Sequence, residues 1–414
     1  MKKPALFLLL SSLPALAPAV SLAQTNTAAG IDAVRKEARM HVGPLYMTPA
    51  IQLKEFGIDS NVFNAAGEQV SDFTVTLAPK LDLWVPVARR LLFQTTAATD
   101  LVWYSKYETE RSVDPQLGAR AEIYLRRLTL FGEGLALSTR QRLNYEIDLR
   151  ARQLRTDFAG GAELRLTPKF SVEGAARRGE TEVDGDAFFD GQSLQRTLNQ
   201  RSTGFRTVVR HRVTPLTTLA VKYERQRDRF EFSPLRDSAS YRVMPGVEFK
   251  PRALIKGTAY VGYRRFTPSH EGALPEFSGV VADLELSYTM LGSTTFSVAY
   301  RRDLTYSYEE TQPFFVNNSV GVSVRRALGR RFDVLGSVDR HTYAYQDLLT
   351  LPTVTSIATA ERVDVTWNYG ASLGYRIGTG RIGFGVSYWT RDSSTRPLRG
   401  YDNLRFGTTA TYGF

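Results

Sequence analysis

The sequence contains no cysteine and only four histidines in 414 residues. Without cysteine there is no disulfide framework, no thiolate nucleophile and no cysteine-based zinc site. The histidines, His41, His211, His270 and His341, lack metal-ligand spacings such as H-E-x-x-H. A phosphate-binding glycine loop and a dinucleotide fingerprint are absent as well. We therefore predict no cofactor, no resident metal and no enzymatic activity.

Long apolar runs are scarce, and the longest lies at the N-terminus. Two lysines precede it, and Ser21 and Ala23 supply the small residues of a cleavage site. The pattern predicts a cleaved secretory signal peptide over residues 1–23. A membrane anchor is the alternative, but Pro14 and Pro18 interrupt a run that is already short. No later stretch approaches the roughly 20 apolar residues of a transmembrane helix.

The formal net charge is +11. A basic chain ordinarily suggests nucleic acid as a partner. An exported chain does not meet nucleic acid, so we predict anionic lipopolysaccharide, anionic solutes or an acidic polymer instead.

Alternation with a period of two residues is what the sequence has in abundance. Over residues 364–376 the odd positions are apolar or aromatic, and the even positions are polar or glycine. Residues 280–288 and 382–388 alternate in the same way. This period places successive side chains on opposite faces of a β-strand.

Eight short turns alternate along the chain with nine longer polar loops. Short periplasmic turns and longer extracellular loops are typical of transmembrane barrels. We therefore predict an all-β fold: a closed antiparallel transmembrane β-barrel over residues 43–414, with about 18 strands and 16 as the alternative. Residues 24–42 form a periplasmic N-terminal segment in this prediction, and the protein resides in the Gram-negative outer membrane.

The last eleven residues alternate to the end, and the chain finishes on Phe414. This ending resembles the signal read by the barrel-assembly machinery, which we expect as a partner. Aromatic residues predicted to form girdles at the membrane interfaces are Trp84, Trp103, Tyr104, Tyr107, Tyr369, Tyr375 and Tyr388.

Opposite the apolar face, the alternation predicts a polar face that lines the lumen. The candidate pore-lining residues are Arg177, Arg206, Arg210, Arg212, Lys222, Glu224, Arg264, Asp283, Glu285, Arg301, Arg325, Asp364, Arg376 and Arg405. One interpretation is a net basic conduit that attracts an anionic solute or polymer. The other is that these charges pair across strands and fill a wide polar barrel.

Two weaker patterns suggest chemistry. Asp339 and His341 are two residues apart on a predicted strand, as a base and its orienting acid would be, but no nucleophile is in register. Asp184 and Asp186 lie in a long loop, where a single D-x-D pair predicts a solvated loop before it predicts a calcium site.

Residues 43–63 resemble the first strand and loop of a family of outer-membrane β-barrel porins. The likeness is carried by the motif Asp59-Ser60-Asn61-Val62-Phe63 and by the C-terminal Gly413-Phe414. Members of this family are often associated with exopolysaccharide biosynthesis and export loci. The resemblance implies a pore or scaffold for exopolysaccharide secretion, with an acidic glycan and a periplasmic polysaccharide-export protein as partners.

Three other functions remain open. A general or anion-selective diffusion porin needs a loop that folds inward to form a constriction, for which residues 182–196 and 346–360 are the candidates. An outer-membrane enzyme needs a nucleophile and base near the rim. A structural barrel would be plugged by its own side chains.

Overall fold

The computed structural model describes residues 38–412, except for 89, 252, 271, 273, 348–361, 397 and 398. The predicted signal peptide, the predicted periplasmic segment as far as residue 37, and Phe414 lie outside the described residues.

The described residues form eighteen barrel strands, numbered here in chain order. Their bounds are β1 Leu45–Asp59, β2 Asp72–Val87, β3 Leu91–Tyr104, β4 Ser112–Tyr124, β5 Leu128–Thr139, β6 Gln153–Arg165, β7 Phe170–Val183, β8 Gln200–Arg212, β9 Thr217–Phe230, β10 Ser238–Phe249, β11 Ile255–Pro268, β12 Phe277–Met290, β13 Thr294–Tyr306, β14 Phe314–Leu328, β15 Phe332–Gln346, β16 Val363–Ile377, β17 Gly380–Ser393 and β18 Tyr401–Tyr412. Helical segments are Glu108–Glu110, Leu194–Leu198 and Pro234–Arg236, all in connections. Within the described part of the chain, no helix is long and apolar enough to cross a membrane.

Each strand pairs antiparallel with the next one in the chain, and β18 returns to pair with β1. A short strand, Met40–Val42, folds back on the start of β1 through Gly43, whose φ is +56°. The ring therefore has no unpaired edge in its main body, which is the condition for placing a sheet in lipid. The predicted closed antiparallel barrel is confirmed.

The connections have two lengths, as the sequence predicts. Short turns of two to five residues join β2 to β3, β4 to β5 and each later pair in that order, and the other end of the barrel carries the longer loops. We assign the long-loop end to the extracellular side and the short-turn end to the periplasmic side.

The seam between β1 and β18 contains a bulge between Leu53 and Gly57. Beyond the bulge Gly57 lies opposite Gly407, and the Arg405 guanidinium forms an ion pair with the buried Asp59 carboxylate at 2.9 Å. A Cβ built on Gly57 would lie 2.0 Å from the carbonyl oxygen of Phe406. Glycine at this position therefore allows the two strands to approach each other and close the ring.

We predict that Gly57→Val weakens closure, because backbone rather than a flexible side chain occupies the space for the new methyl groups. Overpacking typically costs about 1–3 kcal/mol. The measurement is the temperature at which the folded, fast-migrating band on SDS gels converts to the unfolded band. Gly67→Val is the matched control, since no atom lies within 4 Å of a Cβ at that loop position. Equal conversion temperatures for the two variants would contradict a tight seam.

Candidate functional site

The strand register divides the side chains into an outward and an inward set. On β9, Leu219, Val221 and Tyr223 are exposed on one face, and Lys222 and Glu224 occupy the other. The second face is the inner one, because its side chains bridge strands that are not neighbours and meet loops that enter the barrel. The outward face forms the apolar belt that contacts lipid in transmembrane barrels.

All fourteen predicted pore-lining residues lie on the inner face. Those that form ion pairs are Arg177, Arg206, Arg210, Glu224, Arg264, Asp283, Arg301, Asp364, Arg376 and Arg405. Those without an ion pair to any described residue are Arg212, Lys222, Glu285 and Arg325. That these side chains line a conducting path stays a prediction.

Ion pairs join the inner wall across several strands. Buried Glu173 on β7 accepts hydrogen bonds from Arg206 and Arg210 on β8, both at 2.8 Å. Arg242 on β10 contacts Glu224 on β9 and, at 2.9 Å, Asp303 on β13. These contacts favour the second of the two interpretations, in which the charges pair across the wall.

Acidic residues on the inner strand positions are about as numerous as basic ones. The strand wall is therefore close to neutral, and a net basic lumen is wrong for this wall. The excess of arginine and lysine lies on outward positions, in the periplasmic turns and in the extracellular loops.

The predicted aromatic girdle needs three corrections. Tyr107 lies in the connection after β3 and packs against the buried cluster of Val62, Val102 and Tyr104. Trp84 lies on the inner face and packs against Leu92 and Tyr124, and Tyr104 is buried on that face under Arg150. Trp103, Tyr369, Tyr375 and Tyr388 are on the outward face, as predicted. Parity along a strand decides the face, and neighbouring aromatics such as Trp103 and Tyr104 cannot share it.

The two weaker chemical patterns gain no support. Asp339 and His341 do share the inner face of β15, but Asp339 accepts a hydrogen bond from Asn368 and His341 stacks on Tyr343. Asp184 and Asp186 lie in the loop after β7, and no cluster of three or more potential ligands occurs among the described residues.

The loop between β5 and β6, residues 140–152, folds into the extracellular end of the barrel. Its tip is a turn in which the Asn144 side-chain oxygen accepts hydrogen bonds from the backbone N–H of Glu146 and Ile147, at 2.9 and 3.1 Å. Asparagine favours such turns because its side chain mimics a backbone carbonyl. The turn directs Tyr145 and Glu146 toward the opposite wall, where Tyr145 is partly buried and Glu146 is buried, and Ile147 is fully buried among the neighbouring loops.

The contacts of this tip span the ring. Tyr145 stacks face to face on Tyr343 of β15 and meets Phe315 of β14 edge-on. Arg391 of β17 donates to the Tyr145 carbonyl at 2.7 Å and to the Asp148 carboxylate at 2.6 Å. Because the loop starts on β5, it bridges two sides of the extracellular opening.

Two other loops complete this plug, defined here as residues 140–152, 184–199 and 307–313. Leu194 and Tyr308 pack with Ile147 in one fully buried cluster. Glu309 is buried among cations and accepts from Arg362 at 2.5 Å and from Arg396 at 2.7 Å. The three loops thus share one core and one ion-pair network at the extracellular end.

Two arginines of the loops are held by carbonyl oxygens. Arg142 donates to the carbonyls of Val62 and Asp148, and Arg236 donates to those of Ser307 and Pro313. Burial lowers the pKa of each to about 10. Both therefore stay cationic at neutral pH, and neither forms an ion pair with a carboxylate of the described residues.

Glu146 is the buried carboxylic acid of the plug. It accepts hydrogen bonds from Ser307 and Tyr345, and Arg362 and Glu309 act on it electrostatically. Burial raises its pKa to about 7, against the lowering effect of the two hydrogen bonds and of Arg362.

Sequence reasoning located only part of this plug. Of the two loops proposed as constrictions, 182–196 does fold inward, whereas 346–360 lies mostly outside the described residues. The polar composition of residues 140–152 predicts only one of the longer extracellular loops. Its signal was the pair Tyr145 and Ile147, two large apolar side chains in an otherwise polar segment.

The fold and the plugged, polar interior define the class as a β-barrel channel of the porin type. The family described as "Putative beta-barrel porin 2" matches residues 38–407, and the chain belongs to it. It is accordingly an outer-membrane β-barrel porin. No curated protein matches the chain.

Solved structures are similar to the chain in fold, at low identity. A BenF-like porin from Pseudomonas fluorescens Pf-5 is 12% identical with a TM-score of 0.50, over 88% of this chain and 98% of that one. OpdK from Pseudomonas aeruginosa is 11% identical with a TM-score of 0.47, over 90% and 99%. The FrpB iron transporter from Neisseria meningitidis is 9% identical with a TM-score of 0.44 over 84% of this chain, which spans only 62% of FrpB.

Docking of the plug should depend on pH through Glu146. A carboxyl whose pKa is raised to about 7 stabilises the docked state below its ordinary pKa, and that stabilisation is lost as the pH rises through 7. The full effect is on the order of 3 kcal/mol. The measured quantity is the unfolding temperature of the wild type minus that of Glu146→Gln. We predict that this difference decreases as the pH is raised from 4.5 to 8.5. Glu68→Gln, at an exposed loop carboxylate, should show no such trend, and a flat Glu146→Gln difference would exclude this role.

Proposed function

We propose that this protein is a diffusion porin for small anionic solutes. The observation that supports this proposal most directly is loop 140–152, which crosses the extracellular opening and bonds to β15 and β17. A diffusion porin requires such an inward loop, because an 18-strand ring would otherwise be wide enough to hold unrestricted water. The loop limits the size of what enters.

The preference for anions comes from the extracellular loops more than from the strand wall. The wall charges are nearly balanced, whereas Arg142 and Arg236 carry positive charge that no carboxylate of the described residues pairs with. Arg206 and Arg301 add partly exposed guanidiniums farther along the inner wall, at 39% and 43% exposure. An anion entering past the plug would be attracted by the positive potential of these cations.

We also propose that the protein has no enzymatic activity. The porin family and fold are those of a channel. Its buried polar groups, such as Glu309 and Asp364, are engaged in ion pairs rather than directed at a free cavity.

Exopolysaccharide secretion is the second candidate. It draws support from the motif at residues 59–63 and from the way the plug is held. Loops alone form the plug, and its contacts with the wall are made by side chains such as Arg391 and Tyr345. Release of those contacts would clear the extracellular end without altering the strands. A periplasmic polysaccharide-export protein and an acidic glycan would then be the partners.

Removing the contacts that hold loop 140–152 against the wall should widen the pore. We predict that Tyr145→Ala/Asp148→Ala increases single-channel conductance in planar bilayers at least about two-fold, because it removes the aromatic stack on β15 and the carboxylate bound by Arg391. The control Glu68→Ala/Leu235→Ala changes two exposed loop side chains and should conduct like the wild type.

Reversal potentials in a KCl gradient should show anion preference, which Arg142→Gln reduces and Arg330→Gln, in a periplasmic turn, does not.

A clean deletion strain separates the two candidates. If the protein is a diffusion porin, the strain takes up small organic anions more slowly, and the intact gene restores uptake while secreted polysaccharide stays unchanged. A loss of extracellular polysaccharide that complementation reverses, with unchanged uptake, would replace the porin proposal with the export proposal.

A further inference from the structure

A group of arginines lies on the outward face of the barrel, near its extracellular end. The arginine patch consists of Arg178 on β7, Arg201 on β8, Arg225, Arg227 and Arg229 on β9, and Arg265 on β11. All six are exposed. The patch occupies one sector of the ring, β7 to β11.

The register fixes the direction of these side chains. Arg225 and Arg227 have the same parity on β9 as the lipid-facing Leu219 and Val221. Their immediate neighbours of opposite parity, such as Glu224, point inward and pair with Arg242. The arginines are therefore separated from the carboxylates of the inner wall by the sheet itself.

Within the patch, arginines approach one another instead of carboxylates. Arg201 lies directly opposite Arg229 on the neighbouring strand. Thr203 on β8 lies opposite both Arg227 on β9 and Arg178 on β7, so these two arginines are level with each other across one intervening strand. Neighbouring strands are about 4.8 Å apart, so that second pair is about 10 Å apart. Like charges placed opposite each other destabilise a sheet. An anion bound between the arginines would reduce this repulsion.

Carboxylates of the protein compensate only one edge of the patch. Glu180 binds Arg201 at 2.5 Å, and Glu182 and Glu231 lie nearby. In the portion of the chain that the structure describes, the side chains of Arg178, Arg225, Arg227, Arg229 and Arg265 form no ion pair or hydrogen bond.

The depth of the patch identifies its surroundings. Tyr223, Tyr241 and Tyr263 are exposed on the outward face, and Arg225 and Arg265 follow two residues beyond Tyr223 and Tyr263 toward the extracellular loops. Outward tyrosines mark the membrane interface. The arginines therefore lie at the level of the outer-leaflet headgroups, directly above the apolar belt.

Three other arginines occupy outward strand positions, and one of them, Arg326, lies at the periplasmic end of β14. Arg302 donates to the Asn318 side chain and to the Val280 carbonyl, and Arg340 stacks on Trp367. Each has a partner within the protein. The unpaired outward arginines are concentrated on β7, β9 and β11.

We propose that the arginine patch is a binding site for phosphate groups of the glycolipid in the outer leaflet, lipopolysaccharide. Guanidinium groups bind phosphate through paired N–H donors. Acyl chains would lie along the apolar belt below the patch, and the phosphates would separate the arginines above it. The site lies outside the lumen, so it is independent of the solute that the porin carries.

The test measures glycolipid binding to the folded, detergent-purified protein by native mass spectrometry. Bisphosphorylated lipid A and the same lipid after enzymatic dephosphorylation are the probes. We expect the wild type to bind the phosphorylated form at least about ten-fold more tightly. Equal binding of the two forms would overturn the proposal without any variant. Inorganic phosphate at matched concentration should not compete if the lipid, rather than free phosphate, is the ligand, and full competition would overturn the lipid assignment.

The variant Arg225→Gln/Arg227→Gln/Arg265→Gln should weaken binding of phosphorylated lipid A roughly a hundred-fold, since each arginine near a charged lipid surface contributes about five-fold. The matched control, Arg302→Gln/Arg326→Gln/Arg340→Gln, removes three outward arginines outside the patch and should bind like the wild type. Heat-modifiability on SDS gels confirms folding of both. Equal losses in the two variants would show general electrostatic attraction and overturn the assigned site.

Discussion

The constraint on which this structure depends is the hydrogen bonding of the backbone in lipid. Hydrocarbon supplies no partner for an N–H or C=O group, so every strand must be paired on both sides. The seam between β1 and β18 satisfies the last of these requirements, and it does so through Gly57 opposite Gly407 beside a bulge. Once the ring closes, parity along each strand assigns every side chain either to lipid or to the interior.

The interior then follows from the cost of enclosing charge. A charged side chain turned inward has limited water, and pairing it with an opposite charge offsets part of the desolvation. Glu173 between Arg206 and Arg210 is an example: most charges of the wall form ion pairs with other charges of the wall. We therefore infer that selectivity resides in the extracellular loops, where Arg142 and Arg236 donate to carbonyl oxygens and keep their positive charge.

The plug and the arginine patch show the same principle on two surfaces. Inside, loop 140–152 brings Glu146 into a buried site where its carboxyl accepts hydrogen bonds from Tyr345 and Ser307. Outside, the arginines face a leaflet that carries its own anions. In both places we infer the ligand from arginines that have no carboxylate partner among the described residues: a small anion at Arg142 and Arg236, and lipid phosphate at the patch.

The sequence by itself determined the barrel, a count of about 18 strands with 16 left open, and the direction of all fourteen inward charges. Those features depend on a local period of two residues and on the lengths of connections, which are visible in the printed chain. It did not determine that Trp84 faces inward, because one aromatic residue fits either face. Nor did it determine that Tyr145 reaches Tyr343, since contacts between distant strands depend on how the ring closes. The tertiary structure alone decided which charges are paired and which loop crosses the opening.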